Sequence, residues 1–320
     1  MRRQLVVQLP VLADCHRQRI EAAAARQSFT VSFFEKEAAA ADAVAEVEIL
    51  LSASPRLADR APLLRWQCTP SAGVDQFASA QPFLSGRAAL TNSSGAYGVT
   101  IAEHVIMVIL EMLRRQPEYN SFISRQEWRR DLPIRSILGS RVTLLGTGDI
   151  GRQAALRLRG FLPQSLIGVN RSGKSPAGCF DRVVPAAQLD ALLPETDILI
   201  ISLPGTEEAR HMLDARRLSL LPEGALIVNV GRGSVIDQQA LEKELRAGRL
   251  LAALDVFEQE PIPTEDPLWR CPNLLITSHV AGNMTLPYTV ERIVSLFLED
   301  FENYCAGRPL ARQVDLRIGY

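Results

Sequence analysis

Short runs of apolar, often β-branched residues recur along the first hundred positions of the chain, with turn or helical segments between them. The runs are QLVVQLP, FTVSFF, VEILLSA, LRWQCT and RAALTNSS. Such runs are typical of strands that are buried on both faces of a parallel sheet. The pattern predicts a first α/β domain with helices on both faces of its sheet.

A second series of apolar runs begins after residue 140. Its members are RVTLLG, SLIGVN, DILIISLP, ALIVNVG, LLAALDV and LLITSHV. They predict a second parallel sheet of six strands, so the expected fold class is α/β with two doubly wound domains.

Three segments carry the periodicity and the end signals of helices. GVTIAEHVIMVILEMLRRQ has Thr100 and Glu103 at the spacing of a capping box, which predicts one long helix that crosses between the domains. DQQALEKELRAGR starts with Asp237 as a candidate N-cap and stops before Gly248. LPYTVERIVSLFLEDFENYCAG predicts one amphipathic helix that returns to the first domain.

Composition and charge exclude several kinds of partner. The 320 residues are 47% hydrophobic and 22% charged, enough for one large core or two ordinary ones. A net charge of -1 gives no long-range attraction to nucleic acid or to an anionic membrane, so we expect neither as a partner. The longest apolar stretch, HVIMVILEML, carries Glu111 and is too short to span a bilayer.

The five cysteines are too far apart for a zinc site or a redox pair, so we expect no metal and free thiols in a reducing compartment. The apolar run near the N-terminus is interrupted by Pro10 and followed by Asp14, which indicates a strand rather than a signal peptide. A cytoplasmic location fits both observations.

The segment LGTGDIG places Gly146, Gly148 and Gly151 between a predicted strand and a predicted helix. In this arrangement backbone N–H groups, including those of Asp149 and Ile150, and the positive end of the helix point at a pyrophosphate. Gly146 would make the turn, Gly148 would admit the phosphates, and Gly151 would let helix and strand pack closely. An ordinary strand-to-helix turn is the alternative.

The next strand ends in SLIGVNRSGKS, with Asn170 where dinucleotide-binding folds usually carry an acid for the adenosine ribose. An acid would repel a 2′-phosphate, whereas Asn170 followed by Arg171 and Ser172 offers it hydrogen bonds. The pattern favours NADP(H), with NAD(H) possible. Alternatively, Arg171 and Lys174 are solvated loop charges.

Three further stretches end predicted strands at the same sheet edge: NVGRGSVID with Arg232, LDVFEQEPIP with Asp255 and Glu260, and TSHVAGN with His279. A guanidinium grips a carboxylate and a carbonyl oxygen, an imidazole donates a proton near neutral pH, and a carboxylate orients that imidazole and raises its pKa. Together they predict reduction of a 2-oxo acid.

Each of these side chains also has a structural interpretation. Arg232 alone could form a loop salt bridge, Glu260 could be a surface charge, and His279 could be a core histidine. Their order after a nucleotide-binding turn favours the chemical interpretation. His104, inside a predicted helix, is expected to be structural, and His211 has no informative context.

With these motifs the chain resembles the D-isomer-specific 2-hydroxyacid dehydrogenase family. The motifs are LLGTGDIGRQAALRLRGF, SLPGTEEARHML, LPEGALIVNVGRGSVID, LAALDVFEQEPIP and TSHVAGN. The resemblance implies a Rossmann nucleotide-binding domain, residues 99–283, inserted in a flavodoxin-like substrate domain, residues 1–98 plus 284–320. It also implies a homodimer built through the nucleotide-binding domain.

The resemblance further implies roles for individual residues. Arg232 would grip the substrate, and Glu260, which matches the family position better than Glu258, would pair with the acid/base His279. Further residues implied at the cofactor are Leu203, Pro204, Thr206, Val230, Gly231, Asp255 and Gly282. Those implied at the substrate carboxylate are Ala72, Gly73 and Val74, in PSAGVDQF.

Two regions depart from the family pattern. RQEWRRDLPIRSILGS lacks the glycine-rich form of relatives, which leaves the role of Trp128 open. After His279, Met284 and Tyr288 occupy positions where, with Tyr97, we hypothesise that they line the substrate pocket.

Two classes of function remain. The first is an enzyme that reduces a 2-oxo acid to a D-2-hydroxy acid with NAD(P)H, and the second is an NAD(P)-sensing, corepressor-like binding protein on the same fold. The complete set of arginine, glutamate and histidine favours the enzyme. Which 2-oxo acid it takes, and in which direction it works, stay open.

Overall fold

The computed structural model describes residues 3–174 and 178–316. The chain divides into two compact units: the first ends at Tyr97 and resumes at Asn283, and the second is Gly98–Gly282. The boundaries expected from the family pattern differ from these by one residue.

The strands are β1 (Arg3–Gln8), β2 (Phe29–Phe34), β3 (Ile49–Leu51), β4 (Trp66–Cys68), β5 (Ala89–Thr91), β6 (Arg141–Leu145), β7 (Ser165–Asn170), β8 (Arg182–Pro185), β9 (Ile198–Ile201), β10 (Leu226–Asn229), β11 (Leu251–Leu254) and β12 (Leu274–Ile276). The helices are α1 (Asp14–Arg26), α2 (Glu37–Ala40), α3 (Pro55–Asp59), α4 (Gln81–Leu84), α5 (Gly98–Leu113), α6 (Gln116–Ser124), α7 (Asp149–Leu158), α8 (Leu189–Leu192), α9 (Ala215–Leu220), α10 (Gln238–Arg246) and α11 (Pro287–Cys305).

The first unit is built on a parallel sheet with the strand order β2-β1-β3-β4-β5, which is the flavodoxin-like order. All five predicted strands are present. The C-terminal helix α11 packs in this unit, where Phe297 stacks on Trp66 with 5.3 Å between ring centroids. Both rings are fully buried, so the predicted return of the tail helix to the first domain is confirmed.

The second unit contains a parallel sheet with the order β12-β11-β10-β9-β6-β7-β8. The chain starts at β6, builds β7 and β8 on one side, and then returns to build β9 to β12 on the other, as in a Rossmann fold. The predicted α/β class with two doubly wound sheets is confirmed. The expectation of six strands is wrong by one, because the four-residue, partly exposed RVVP of β8 gives only a weak apolar signal.

The long helix differs from its prediction in its N-terminal cap and in its last residue. It begins at Gly98, so Thr100 lies inside the helix and the predicted capping box is wrong. It ends at Leu113, and a residue with positive φ, Arg115, separates it from α6. Pro117 explains the break, since proline lacks an N–H and its ring would clash with the carbonyl four residues earlier.

The start and end of α10 agree with the sequence. The Asp237 side chain accepts the N–H of Ala240 at 3.0 Å, and Gly248 has a φ of +72° just beyond the helix. These are the side-chain cap and the left-handed stop that the residue types favour. Across residues 3–174 and 178–316, we find no helix with the length and apolarity needed to cross a membrane.

Candidate active site

Three neighbouring strands of the second sheet deliver the residues expected to carry the chemistry. β10, β11 and β12 are adjacent and parallel, so their carboxyl ends lie at one edge. Arg232 follows β10, Asp255 follows β11 directly, and His279 follows β12. Ligands bind at this edge in open α/β sheets.

Arg232 lies in a loop that a buried asparagine shapes. Asn229 donates from Nδ2 to the carbonyl of Arg232 at 2.9 Å and accepts the N–H of Gly231 on Oδ1 at 3.0 Å. The Arg232 guanidinium donates to the Gly231 carbonyl at 2.8 Å. A side chain at Gly233 would overlap the backbone of Phe257, so this loop packs directly against the loop that follows β11.

His279 is paired with Glu260. Its Nδ1 lies 2.6 Å from Oε2 of Glu260, and the other carboxylate oxygen accepts the N–H of Phe257 at 2.9 Å. The carboxylate is therefore anchored while it orients the imidazole. The His279 side chain is 52% exposed and Glu260 is 35% exposed, so the ring is accessible to a ligand.

Asp255 organises the backbone around His279. Its carboxylate is almost completely buried and accepts the N–H groups of Val280 at 2.9 Å and Ala281 at 3.0 Å. Its backbone carbonyl accepts the N–H of His279 at 2.9 Å. His279 has a φ of +55°, a conformation that costs a non-glycine residue about 1–2 kcal/mol, and these bonds offset that cost.

The glycine turn has room for a diphosphate. Gly146 has a φ of +104°, and a side chain at Gly151 would overlap the carbonyl of Gly146. A side chain at Gly148 would meet nothing within 4 Å. The N–H groups of Gly148, Asp149 and Ile150, at the start of α7, have no acceptor among residues 3–174 and 178–316. The turn therefore combines unpartnered donors with open space, which a dinucleotide phosphate requires.

Asn170 shapes the loop that follows β7. Its Oδ1 accepts the N–H of Ser172 at 3.1 Å and of Gly173 at 2.7 Å, and its Nδ2 donates to Thr147 at 2.7 Å and to the Lys174 carbonyl at 2.8 Å. Arg171, Ser172 and Lys174 are exposed around it. The loop therefore carries the cations Arg171 and Lys174 and the hydroxyl of Ser172. In folds that bind NAD, an acid at the position of Asn170 would repel the 2′-phosphate of NADP.

The other residues expected at the cofactor follow the strand ends of the second unit. Val230 donates its N–H to Ile201 at 3.0 Å, and a side chain at Gly231 would lie 2.6 Å from the carbonyl of Leu203. Thr206 caps a short helical turn by accepting the N–H of Ala209 at 3.2 Å. Pro204 is exposed after β9, and Gly282 is partly exposed after β12.

In the first unit, side chains hold the carbonyls of the predicted substrate loop. Asn92 donates to the carbonyl of Ala72 at 2.9 Å, and the Ser71 hydroxyl donates to that of Gly73 at 2.8 Å. The N–H groups of Ala72, Gly73 and Val74 have no acceptor within the described ranges. Successive unpartnered N–H groups of this kind can bind an anion.

Tyr97 does not fit the hypothesis that it selects substrates. It is buried, its hydroxyl donates to the carbonyl of Pro70 at 2.7 Å, and burial raises its pKa to about 12. Tyr288 is half exposed and Met284 partly exposed, so both stay candidates. Trp128 is 95% exposed in the second unit.

The structure also shows two histidine contacts that the sequence did not indicate. His211 Nε2 lies 2.9 Å from Oε1 of Glu258, and His104 Nε2 lies 3.3 Å from the hydroxyl of Thr277. Both partners are distant in sequence. One signal for the His211 contact was present in the sequence. LDVFEQEPIP contains two glutamates, and if Glu260 pairs with His279, Glu258 is available to a second histidine.

Similarity to known proteins identifies the family of the chain. Residues 106–281 match the family model described as D-isomer specific 2-hydroxyacid dehydrogenase, NAD binding domain. Glyoxylate/hydroxypyruvate reductase B of Yersinia enterocolitica is 31% identical over 297 residues, which cover 88% of each chain.

Two solved structures are similar over nearly their whole length. A D-isomer specific 2-hydroxyacid dehydrogenase family protein from Aeromonas salmonicida has a TM-score of 0.85 and 31% identity, covering 99% of this chain and 100% of that one. The NADPH-dependent glyoxylate/hydroxypyruvate reductase from Sinorhizobium meliloti, in complex with NADP and sulfate, has a TM-score of 0.80 and 27% identity, covering 99% and 100%.

The fold and the site together define an NAD(P)-dependent oxidoreductase with a Rossmann domain. The chain belongs to the D-isomer specific 2-hydroxyacid dehydrogenase family. The relatives described above are dehydrogenases and reductases, so the corepressor-like alternative has no support.

Proposed function

We propose that the protein reduces a small 2-oxo acid, such as glyoxylate or hydroxypyruvate, to the 2-hydroxy acid with NADPH. The observation that carries this proposal is the 2.6 Å contact between His279 and Glu260 at the sheet edge that also bears Arg232. The names of the Yersinia and Sinorhizobium relatives support the substrate class.

The side chains divide the reaction between them. A bound nicotinamide cofactor supplies the hydride that reduces the carbonyl carbon. Arg232 binds the carboxylate and the carbonyl oxygen of the substrate. For the first unit by itself, we propose that the backbone N–H groups of Ala72, Gly73 and Val74 bind an anion. His279, protonated on both ring nitrogens, gives its proton to the carbonyl oxygen, and Glu260 stabilises the imidazolium.

The loop after β7 supports a preference for NADPH over NADH. Asn170 uses its amide to shape the loop and brings no negative charge, while Arg171 and Ser172 offer donors to a 2′-phosphate. The remaining cofactor contacts we assign to the glycine turn with Asp149 and Ile150, to Leu203, Pro204, Thr206, Val230 and Gly231, and to Asp255 and Gly282. The NADP in the Sinorhizobium structure agrees with this preference.

We also propose a homodimer built through the second unit, in the cytoplasm. Large apolar side chains are exposed on that unit: Ile123, Trp128, Leu138 and Leu162 are each at least 63% exposed. Large apolar side chains that are exposed in the single chain can be covered by a partner in a dimer. Five free cysteines suit a reducing compartment.

The test is a spectrophotometric assay of NADPH oxidation against glyoxylate, hydroxypyruvate, pyruvate and branched or aromatic 2-oxo acids. We expect turnover with at least one short 2-oxo acid and a lower kcat/KM with NADH. Absence of turnover with every acid, in protein that binds NADPH by fluorescence titration, would refute the proposal. Sedimentation of the same sample tests for the dimer.

A further inference from the structure

His104 is a polar residue on an apolar helix. Around it on α5, Ile101, Val105 and Val108 are buried in the second unit. A partly buried imidazole among such residues loses hydration, and this loss is tolerated where a hydrogen bond replaces it. The replacement is Thr277, whose hydroxyl lies 3.3 Å from Nε2 of His104.

The direction of this hydrogen bond follows from its neighbour. The Thr277 hydroxyl lies 2.6 Å from Oδ1 of Asp255, and an ionised carboxylate only accepts. Thr277 therefore donates its one hydrogen to Asp255 and accepts from His104. The chain of donors runs from His104 through Thr277 to Asp255, and it places the imidazole hydrogen on Nε2.

The charge state of His104 agrees with that direction. Burial lowers the pKa of His104 from its usual value, against the opposing effect of the Asp255 and Glu111 carboxylates. The imidazole is therefore neutral near pH 7 and has one N–H to donate. That N–H is committed to Thr277.

The receiving end of the chain is the carboxylate that fixes the backbone at His279. Asp255 Oδ1 accepts from both Thr277 and Val280, and Oδ2 accepts from Ala281. Loss of the Thr277 hydrogen would leave Oδ1 of a buried carboxylate with one donor fewer. A buried carboxylate that loses a hydrogen bond changes its position or accepts a hydrogen bond from another donor. Either change at Asp255 would move the loop around His279, because the same carboxylate holds Val280 and Ala281.

We propose that His104 is a positioning residue for the active site: it donates from Nε2 to Thr277 and so keeps the Thr277 hydroxyl, Asp255 and the His279 loop in one arrangement. The effect on turnover rests on the proposed function, but the effect on the loop does not. Neither ring nitrogen of His104 has to touch the substrate or the cofactor.

The first test measures backbone amide exchange of residues 277–282 in the ligand-free protein by mass spectrometry. His104→Phe keeps a flat ring and removes the donor, and we expect faster exchange in this peptide. His104→Gln places an amide donor near the position of Nε2 and should restore protection. His16→Phe, at a buried histidine in the first unit, is the matched control and should leave residues 277–282 unchanged.

The second test is a double-mutant cycle with Thr277→Val. If His104 acts through Thr277, the double variant H104F/T277V should be no worse than T277V alone, both in amide exchange and in kcat. We expect kcat to fall about 5-fold in H104F, the effect of one lost hydrogen bond, with the Kd for NADPH within 2-fold of the wild type.

Unchanged exchange at 277–282 in H104F, or effects of the two substitutions that simply add, would overturn the inference. If H104F does not fold, T277V and H104Q carry the same comparison, since T277V should expose the loop and H104Q should not. If the wild type turns over no 2-oxo acid, the proposed function fails, whereas the exchange measurement still decides the role of His104.

Discussion

The imidazole of His279 lies 2.6 Å from Glu260, and the same carboxylate accepts the backbone N–H of Phe257 at 2.9 Å. Glu260 is thus held by the loop that also packs on the Arg232 segment through Gly233. The His279–Glu260 pair and the Arg232 guanidinium therefore lie on loops that pack against each other. A shift of the loop after β11 would move Glu260 and the Arg232 segment together.

Replacement of the pair tests acid catalysis. We expect His279→Gln to lower kcat about 10²–10⁴-fold, the usual contribution of a general acid. Glu260→Gln should lower kcat less, because the ring keeps a hydrogen-bond partner but the imidazolium loses its anionic one. Stopped-flow kinetics with NADPH measures both. Glu258→Gln, at the carboxylate that contacts His211, is the matched control and should retain the wild-type kcat.

Replacement of Arg232 tests substrate binding. Arg232→Lys keeps the charge and loses the planar two-point grip, so we expect kcat/KM for the 2-oxo acid to fall by about 10–100-fold per charged hydrogen bond lost. The Kd for NADPH should stay within about 2-fold of the wild type. A variant with normal kcat/KM would show that the guanidinium does not bind the substrate.

The glycine turn offers a test that separates binding from folding. A methyl group at Gly148 meets nothing within 4 Å, and the same is true at Gly160, neither of which has a positive φ. We expect Gly148→Ala to keep the Tm but to weaken NADPH binding at least 10-fold, since the phosphate needs the space. Gly160→Ala should change neither quantity. Equal NADPH affinity in both variants, measured by fluorescence titration, would exclude this turn as the phosphate site.

Cofactor preference is tested at the end of β7. Asn170→Asp introduces the negative charge that repels a 2′-phosphate, so we expect the ratio of kcat/KM for NADPH over NADH to fall by about 10–100-fold. Lys174→Gln, on the same loop, serves as a milder comparison. A ratio that does not change in N170D would place the 2′-phosphate elsewhere.

An ion pair at the centre of the second sheet gives a prediction for stability. Asp197 accepts two bonds from the Arg141 guanidinium and one from its backbone N–H at 2.7 Å, and the guanidinium lowers the pKa of Asp197 from 3.8. Asp197 therefore binds a proton more readily in the unfolded state than in the folded state. The contribution of the pair to the free energy of unfolding is complete above pH 3.8, and it is lost as the pH falls through the lower pKa of the folded state.

Asp197→Asn should therefore lower the Tm at pH 7, by about 3 °C for each kcal/mol lost, and the difference from the wild type should shrink below pH 3.8. Asp42→Asn, at a fully exposed carboxylate, should leave the Tm unchanged at every pH. Thermal unfolding followed by circular dichroism measures these differences. A gap in Tm that is constant with pH would show that the charge of Asp197 is not the cause.

The sequence alone determined the α/β class and the positions of the strands along the chain. Buried parallel strands need continuous apolar runs, and the runs are long enough to identify all strands except β8, whose four residues are partly exposed. The spacing of Gly146, Gly148 and Gly151 and the caps of α10 are likewise local signals, because each depends on residues within a few positions. The long helix was expected to run to Gln116 and ends three residues earlier, at Leu113, because the polar residues before Pro117 do not mark the last helical position.

The family resemblance implied the pairing of Glu260 with His279, but only the tertiary structure showed the partners of His211 and His104. Glu260 and Glu258 are two residues apart and chemically identical, yet one contacts His279 and the other His211. The connection of His104 to Asp255 through Thr277 joins positions more than 150 residues apart. Such pairs depend on how strand ends are arranged across a sheet, and no periodicity of a single segment records that arrangement.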